Sequence, residues 1–146
     1  MKVINQNYIN GEFTHINSNE NLILKNPTTE EEIAQIYLST PDAMNEAIHC
    51  ASKAFESFSH TSIEERMEIL QRIHDELLKD EKRLIDLAVL EFGATLKTTT
   101  RRTQNAINLF LTIKEELKTY DFVKKDDYSM TIKEGVGVIG VIIPWN

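Results

Sequence analysis

The sequence holds a single cysteine, Cys50, in 146 residues, and that scarcity removes two ways of holding a small fold together. An internal disulfide needs two cysteines, and a structural zinc site needs paired ligands at short spacing. The four histidines, His15, His49, His60 and His74, fall into no metal-ligand spacing with one another or with Cys50, and they read as surface or capping residues. Long hydrophobic runs are also lacking. The longest, residues 136–145, is interrupted by glycine and falls far short of the roughly 20 apolar residues that span a bilayer. Residues 1–10 carry one lysine and no apolar stretch leading to a small-residue cleavage point, so no secretory signal is expected. The expectation is a cytoplasmic chain with no membrane partner. Basic charge is in deficit: 16 Lys and Arg against 23 Asp and Glu give a formal net charge of -7, which repels phosphate backbones, and no nucleic-acid partner is expected. The remaining composition, 41% hydrophobic and 27% charged with no low-complexity tract or internal repeat, is that of a globular chain held by its core.

The start of the chain reads as extended from Tyr8. Tyr8-Ile9-Asn10-Gly11-Glu12-Phe13 places Asn-Gly between β-formers, the pair preferred where a two-residue turn needs positive φ twice, and predicts a hairpin. Leu22-Ile23-Leu24, the turn-forming Asn26-Pro27-Thr28-Thr29, and the β-rich stretch Ile33-Ala34-Gln35-Ile36-Tyr37-Leu38 predict a second strand-turn-strand unit.

Thr40 followed by Pro41 is a helix start, and Met44, Ala47, Ile48, Ala51, Ala54, Phe55 and Phe58 share one face of a helix over residues 41–58. Ser62-Ile63-Glu64-Glu65 is a capping box that opens a second helix with an apolar stripe of Ile63, Met67, Leu70, Ile73 and Leu77. Asp80 can cap a third helix carrying Leu84, Leu87 and Ala88, which Gly93 ends. A fourth runs over residues 97–120 with Ala106, Leu109, Phe110, Ile113 and Leu117 as its apolar face. After a polar turn at residues 124–127 the chain is extended through Tyr128 to Ile132, and residues 135–143 read as a strand buried on both faces.

Gly135-Val136-Gly137-Val138-Ile139-Gly140 matches the dinucleotide fingerprint G-x-G-x-x-G letter for letter. The context argues against a phosphate loop. Such a loop leaves a strand and opens a helix, and an acidic residue further on holds the ribose. Here the glycines lie inside a β-branched run and no helix can start before Pro144. Glycines that relieve close packing within a strand are the better reading.

Taken in order, Tyr8-Ile9-Asn10-Gly11-Glu12-Phe13, Asn26-Pro27-Thr28-Thr29, the alanine-rich helix ending at Phe55, Glu65-Arg66, and the run from Gly135 to Pro144-Trp145-Asn146 resemble the aldehyde dehydrogenase family over essentially the whole chain. Pro-Trp-Asn after a Gly-Val strand is the most specific of these elements. The resemblance implies an α/β fold: N-terminal β-hairpins, about four amphipathic helices, then the first strand of a Rossmann-like cofactor-binding sheet. Residues 1–146 would form the N-terminal portion of the cofactor-binding domain, with residues 124–134 resembling the start of the oligomerisation strands of a homo-oligomer, dimer or tetramer. It implies an oxidoreductase that oxidises a small-molecule aldehyde to a carboxylic acid with NAD or NADP through a cysteine thiohemiacetal. Asn146 would present its side-chain amide to the oxyanion, and Ile142, Ile143, Pro144 and Trp145 would line the cofactor cleft.

The family's nucleophile and base lie beyond Pro-Trp-Asn, so these residues are expected to be a truncated, inactive segment of the enzyme. Cys50 does not substitute for the nucleophile. Set beside Ala47, Ala51 and Ala54 with only Lys53 as a basic neighbour, it reads as a small buried hydrophobe. Glu64, Glu65 and Glu68 read as a solvated helix face, and Arg101 and Arg102 as solvated or helix-pairing residues. The alternative to an enzyme segment is a non-catalytic remnant acting at most as a folding or subunit-association module.

Overall fold

A computed structural model describes residues 1–143 of the chain. The N-terminal strands form two units. A three-stranded sheet is ordered β1 (Lys2–Ile4), β5 (Glu32–Tyr37), β4 (Asn21–Lys25), with β1 parallel and β4 antiparallel to the central β5. Between β1 and β4 in sequence, β2 (Gln6–Ile9) and β3 (Glu12–His15) form the first predicted hairpin, with Tyr8 opposite Phe13 and their rings 5.0 Å apart. Asn10 (φ 54°) and Gly11 (φ 83°) both take the left-handed conformation that makes this two-residue turn follow the twist of its strands. In the β4–β5 turn, Asn26 Oδ1 accepts from the backbone N–H of Thr28 (2.8 Å) and Thr29 (3.2 Å), so the side chain shapes the turn. Strand β1 was not foreseen, because three residues at a terminus show no periodicity.

Four helices follow: α1 (Pro41–Phe58), α2 (Ile63–Lys79), α3 (Glu81–Phe92) and α4 (Leu96–Leu117). Thr40 caps α1 by accepting from Ala43 N, and Ser62 with Glu65 forms the complete reciprocal box at α2. Thr95 caps α4 through Thr98 N. Asp80 does not cap α3. Its carboxylate pairs with Arg83 one turn on, and an Arg side chain competes directly for the oxygens that a cap would use. Gly93 ends α3 in the left-handed conformation (φ 69°), where a Cβ would stand 2.8 Å from Pro27 Cγ; the β4–β5 turn packs directly on this cap.

Helices α2 and α3 both pack against α4, whereas α1 touches mainly β2. The core among the described residues is thin: Ile9, Ile16, Ala34, Ile85 and Ile107 are its buried apolar side chains, joined by His74 and Thr99. Two predicted faces are displaced. On α4 the buried positions are Thr99 and Ile107, while Leu109 and Ile113 are exposed. Ala106, expected inside, is exposed as well. On α2 Ile73 lies outside and His74, expected at the surface, is buried in its place. The apolar residues of both helices extend around more than one face, and periodicity alone does not select the face that meets a neighbour.

Hairpin β6 (Val123–Lys125) and β7 (Met130–Ile132) follows α4. Residues 135–143, expected as a buried strand, pair with no strand among the described residues. A β-branched run supplies the propensity, but a strand exists only with a partner for its backbone groups. No helix among the described residues is long and apolar enough to cross a membrane.

Candidate functional site

The stretch leading to the predicted site is anchored at its base. Lys133 donates its backbone N–H to Phe122 O at 2.9 Å, and its ammonium stands 4.2 Å from the centroid of the Tyr120 ring, a cation-π distance. Tyr120 meets Phe122 edge-on at 4.8 Å. From α2, Arg66 donates through Nε to Thr61 Oγ1 (2.9 Å) and through Nη2 to Ser59 O (3.1 Å), with its guanidinium 5.9 Å from the centre of the Phe122 ring. One half-buried arginine therefore joins the α1–α2 loop to the chain entering β6. Gly135 then passes so close to α1 that a Cβ there would lie 3.1 Å from Phe55 Cε2. This is the close packing expected of a glycine in the fingerprint-like run. It does not extend to Gly140, around which a Cβ would meet nothing within 4 Å among the described residues.

Beyond Gly135 the side chains are apolar and open: Val136 is 85% exposed, Ile142 98% and Ile143 80%. Of the five predicted site residues, Ile142 and Ile143 are described, and Pro144, Trp145 and Asn146 lie outside the described residues. Tested against a dinucleotide, the segment fits one part of it. An uncharged, β-branched surface suits the face of a planar ring. It offers no cation for a pyrophosphate, and no helix N-terminus follows it among the described residues, so phosphate binding belongs elsewhere.

The other candidates are dispersed. Cys50 is half-buried on α1, in a cleft with Tyr8, Ile9, Asn10, Gly11 and the alanines 47, 51 and 54, and no basic side chain lines that cleft. Among the described residues no group of three His, Cys, Asp or Glu could hold a metal ion. Glu65 is committed to the α2 cap, accepting from Ser62 N at 2.7 Å.

His74 carries a network that sequence reading missed. Its Nδ1 lies 2.8 Å from Asp75 Oδ1, Gln71 Nε2 donates to the same oxygen at 2.8 Å, and Lys114 of α4 donates to Gln71 Oε1 at 2.7 Å. Asp75, hydrogen-bonded first by His74 and then by Gln71, has its carboxyl held below the ordinary aspartate value. Lys114 thereby ties the α2 network to α4. Arg66 is a second residue whose role sequence reading missed; its one signal there is an arginine beside Met67, which belongs to the apolar stripe of α2.

The family model for the aldehyde dehydrogenase family matches residues 13–146. A Staphylococcus aureus (strain bovine RF122 / ET3-1) protein named as an aldehyde dehydrogenase is 33% identical over 147 aligned residues, which take in 100% of this chain and 31% of that protein. The chain thus spans about a third of the length of the curated relatives it matches. Among solved structures, an aldehyde dehydrogenase from Bartonella henselae superposes with a TM-score of 0.80 at 25% identity, covering 85% of this chain and 26% of the other. One from Pseudomonas syringae, crystallised with NAD+ and octanal, superposes at 0.79 with 26% identity, covering 84% and 25%.

Proposed function

Because the chain belongs to the aldehyde dehydrogenase family, we propose that it forms the N-terminal portion of the cofactor-binding domain of an enzyme that oxidises an aldehyde to a carboxylic acid with NAD or NADP. The observation that carries this is the family match running unbroken to Asn146, over the residues that lead the chain past Phe55 and out as an exposed apolar strip. The nicotinamide, when bound, accepts the hydride. Ile142 and Ile143, with Pro144 and Trp145 after them, line the cleft for its flat ring and keep water from that face. Asn146 donates its side-chain amide to the oxygen that gains negative charge when a thiolate adds to the aldehyde. A fixed donor at such a position contributes roughly 3 to 4 kcal/mol. Cys50 is not that thiolate: it sits on α1 among alanines with no base to activate it.

Two further parts of the reading concern assembly and place. The β6–β7 hairpin, which leaves Val123, Met130 and Ile132 half-exposed, starts the strands through which copies associate. The enzyme works in the cytoplasm.

The test replaces the matching third of the Staphylococcus aureus relative with these 146 residues and follows NADH formation from an aldehyde. Asn146→Ala is expected to lower kcat by about 10²–10³ with a smaller change in KM. Unchanged kcat in that variant sinks the assigned role. The 146-residue polypeptide alone is expected to give no turnover, and turnover that persists in Cys50→Ser would refute the placement of the nucleophile outside these residues.

A further inference from the structure

The tip of the β2–β3 hairpin sets a side-chain amide, that of Asn10, directly before the backbone nitrogen of a glycine. Gly11 has no Cβ to hinder approach to that nitrogen, and one built there meets nothing within 4 Å among the described residues. Both residues are exposed to water. The Asn10 side chain makes no hydrogen bond among the described residues. Other asparagines of the N-terminal strands are held more firmly. Asn26 Oδ1 accepts two backbone N–H groups, and the Pro27 nitrogen that follows it carries no hydrogen. Asn21 donates to Asn19 O and accepts from Gln35.

What restrains Asn10 is the turn itself. Asn10 (φ 54°) and Gly11 (φ 83°) are both left-handed, and the paired Ile9 and Glu12 close the turn. Strands β2 and β3 pair only with each other among the described residues, and a hairpin without a third strand gains little from its own ladder. The cross-strand rings nearest the tip, Tyr8 and Phe13, are 65% and 70% exposed. Opening of the tip therefore belongs to the low-energy end of local unfolding.

We propose that Asn10 is a site of spontaneous deamidation through a cyclic imide, and that the product unfastens the hairpin from α1. When the tip opens, the Gly11 nitrogen gives up its proton to solvent and bonds to Asn10 Cγ. The bond from Cγ to the side-chain nitrogen breaks, and that nitrogen leaves as ammonia. Water then adds to a carbonyl of the imide ring and a ring C–N bond breaks. Cleavage at Cγ gives aspartate; cleavage at the main-chain carbonyl of Asn10 gives isoaspartate. Nothing is oxidised or reduced. Isoaspartate carries an extra methylene in the main chain, and a turn built on two successive left-handed residues cannot absorb it. The same turn walls the cleft that holds half-buried Cys50, so its loss uncovers that thiol.

The test incubates the 146-residue chain in mildly alkaline buffer, follows each asparagine by peptide mass spectrometry, and identifies isoaspartate by labelling with isoaspartyl methyltransferase. Asn10 is expected to convert ahead of every other asparagine, mainly to isoaspartate, and faster in guanidinium chloride, where the turn no longer restrains it. Asn10→Gln lengthens the side chain and disfavours closure of the ring. It should abolish conversion at this position and leave the other asparagines unchanged, with circular dichroism reporting that the variant is folded. The purified isoaspartyl form should lose the Tyr8–Phe13 ring contact in NMR spectra and react faster at Cys50 with a thiol reagent, while α2 and α4 signals stay in place. Earlier conversion at another asparagine, aspartate as the sole product, a rate unaltered by denaturant, or an isoaspartyl form that keeps its hairpin and its Cys50 protection overturns the proposal.

Discussion

Gly93→Ala should be the most damaging single methyl that can be added to a glycine of this chain, and the reason separates into two parts. The first is conformational. At φ 69° the backbone is left-handed, which costs an ordinary L-residue about 1–2 kcal/mol, offset by less than about 1 kcal/mol from a stiffer unfolded chain. The second is steric. The new Cβ would stand 2.8 Å from Pro27 Cγ and 3.1 Å from Thr28 Oγ1. A proline ring is stiff and lies in a turn that Asn26 already braces, so relief requires moving the β4–β5 turn off the end of α3. Overpacking of this kind costs about 1–3 kcal/mol. The sum is about 1–5 kcal/mol. Gly11→Ala supplies the control: its φ is 83° and a Cβ there meets nothing within 4 Å, so only the first part, about 1 kcal/mol, applies. Urea unfolding followed by far-ultraviolet circular dichroism measures both. Adding Pro27→Ala to Gly93→Ala should recover about 1 kcal/mol or more, a coupling that distant sites do not show. Equal losses for the two glycine variants, or no recovery on trimming Pro27, would refute the steric half of the reasoning.

Other tests address the caps and the charged network. Ser62→Ala removes the acceptor for Glu65 N and opens the reciprocal box at α2; a loss of about 1 kcal/mol in urea unfolding is expected, with Glu65→Gln costing less because an amide oxygen can still accept from Ser62 N. Asp75, whose folded-state pKa lies below its ordinary value because His74 and Gln71 donate to it, favours the fold at pH above the unfolded value. That stability is lost as pH falls through the lower folded value. Asp75→Asn should therefore lower the urea midpoint near neutrality and flatten its decline on acidification; an unaltered acid limb counts against the network. Lys114→Met, which removes the donor to Gln71 across α2 and α4, should leave α1 and the N-terminal hairpins unaffected in hydrogen exchange while loosening α2. Uniform change across the chain would contradict that localisation.

What was legible in the sequence was local chemistry. Asn-Gly at positions 10 and 11, Thr-Pro at 40 and 41, the Ser62–Glu65 box and Gly93 each name a backbone conformation within a few residues, and each turn or helix end formed where the residues placed it. What was not legible depends on distant partners. Strand β1 exists because β5 offers a parallel edge 32 residues away in register, Lys2 against Ala34. Asp80 looked like a cap until Arg83 took its carboxylate. His74 is buried on the helix that packs against α4, something no count of histidine spacings can foresee. In the site the same division holds: Gly135 has a close neighbour, as a glycine inside a β-branched run suggests, but the neighbour, Phe55, is 80 positions earlier.

The exposed apolar residues of α1 and α4 bear on how this chain and its family are related. Met44, Ile48 and Phe58 on α1 are each at least half exposed, as is Leu109 on α4. With Ile113 at 42% exposed and the open apolar side chains beyond Gly135, they outnumber the five buried apolar residues of the core. Exposed hydrophobes scattered singly are ordinary on a soluble surface, but these recur at helical spacing: Met44, Ile48 and Phe58 at intervals of four and ten, Leu109 and Ile113 at four. A periodic stripe records a selective demand for burial that the described contacts do not meet. The residues that share one face of α1 carry that demand, and the described contacts leave Met44, Ile48 and Phe58 open. The same demand accounts for residues 135–143, whose β-branched side chains and unpaired backbone ask for a sheet on both edges. These 146 residues align with only 31% of the Staphylococcus aureus relative, and the capped helices and the Gly93–Pro27 contact are the locally determined part of this chain's pattern.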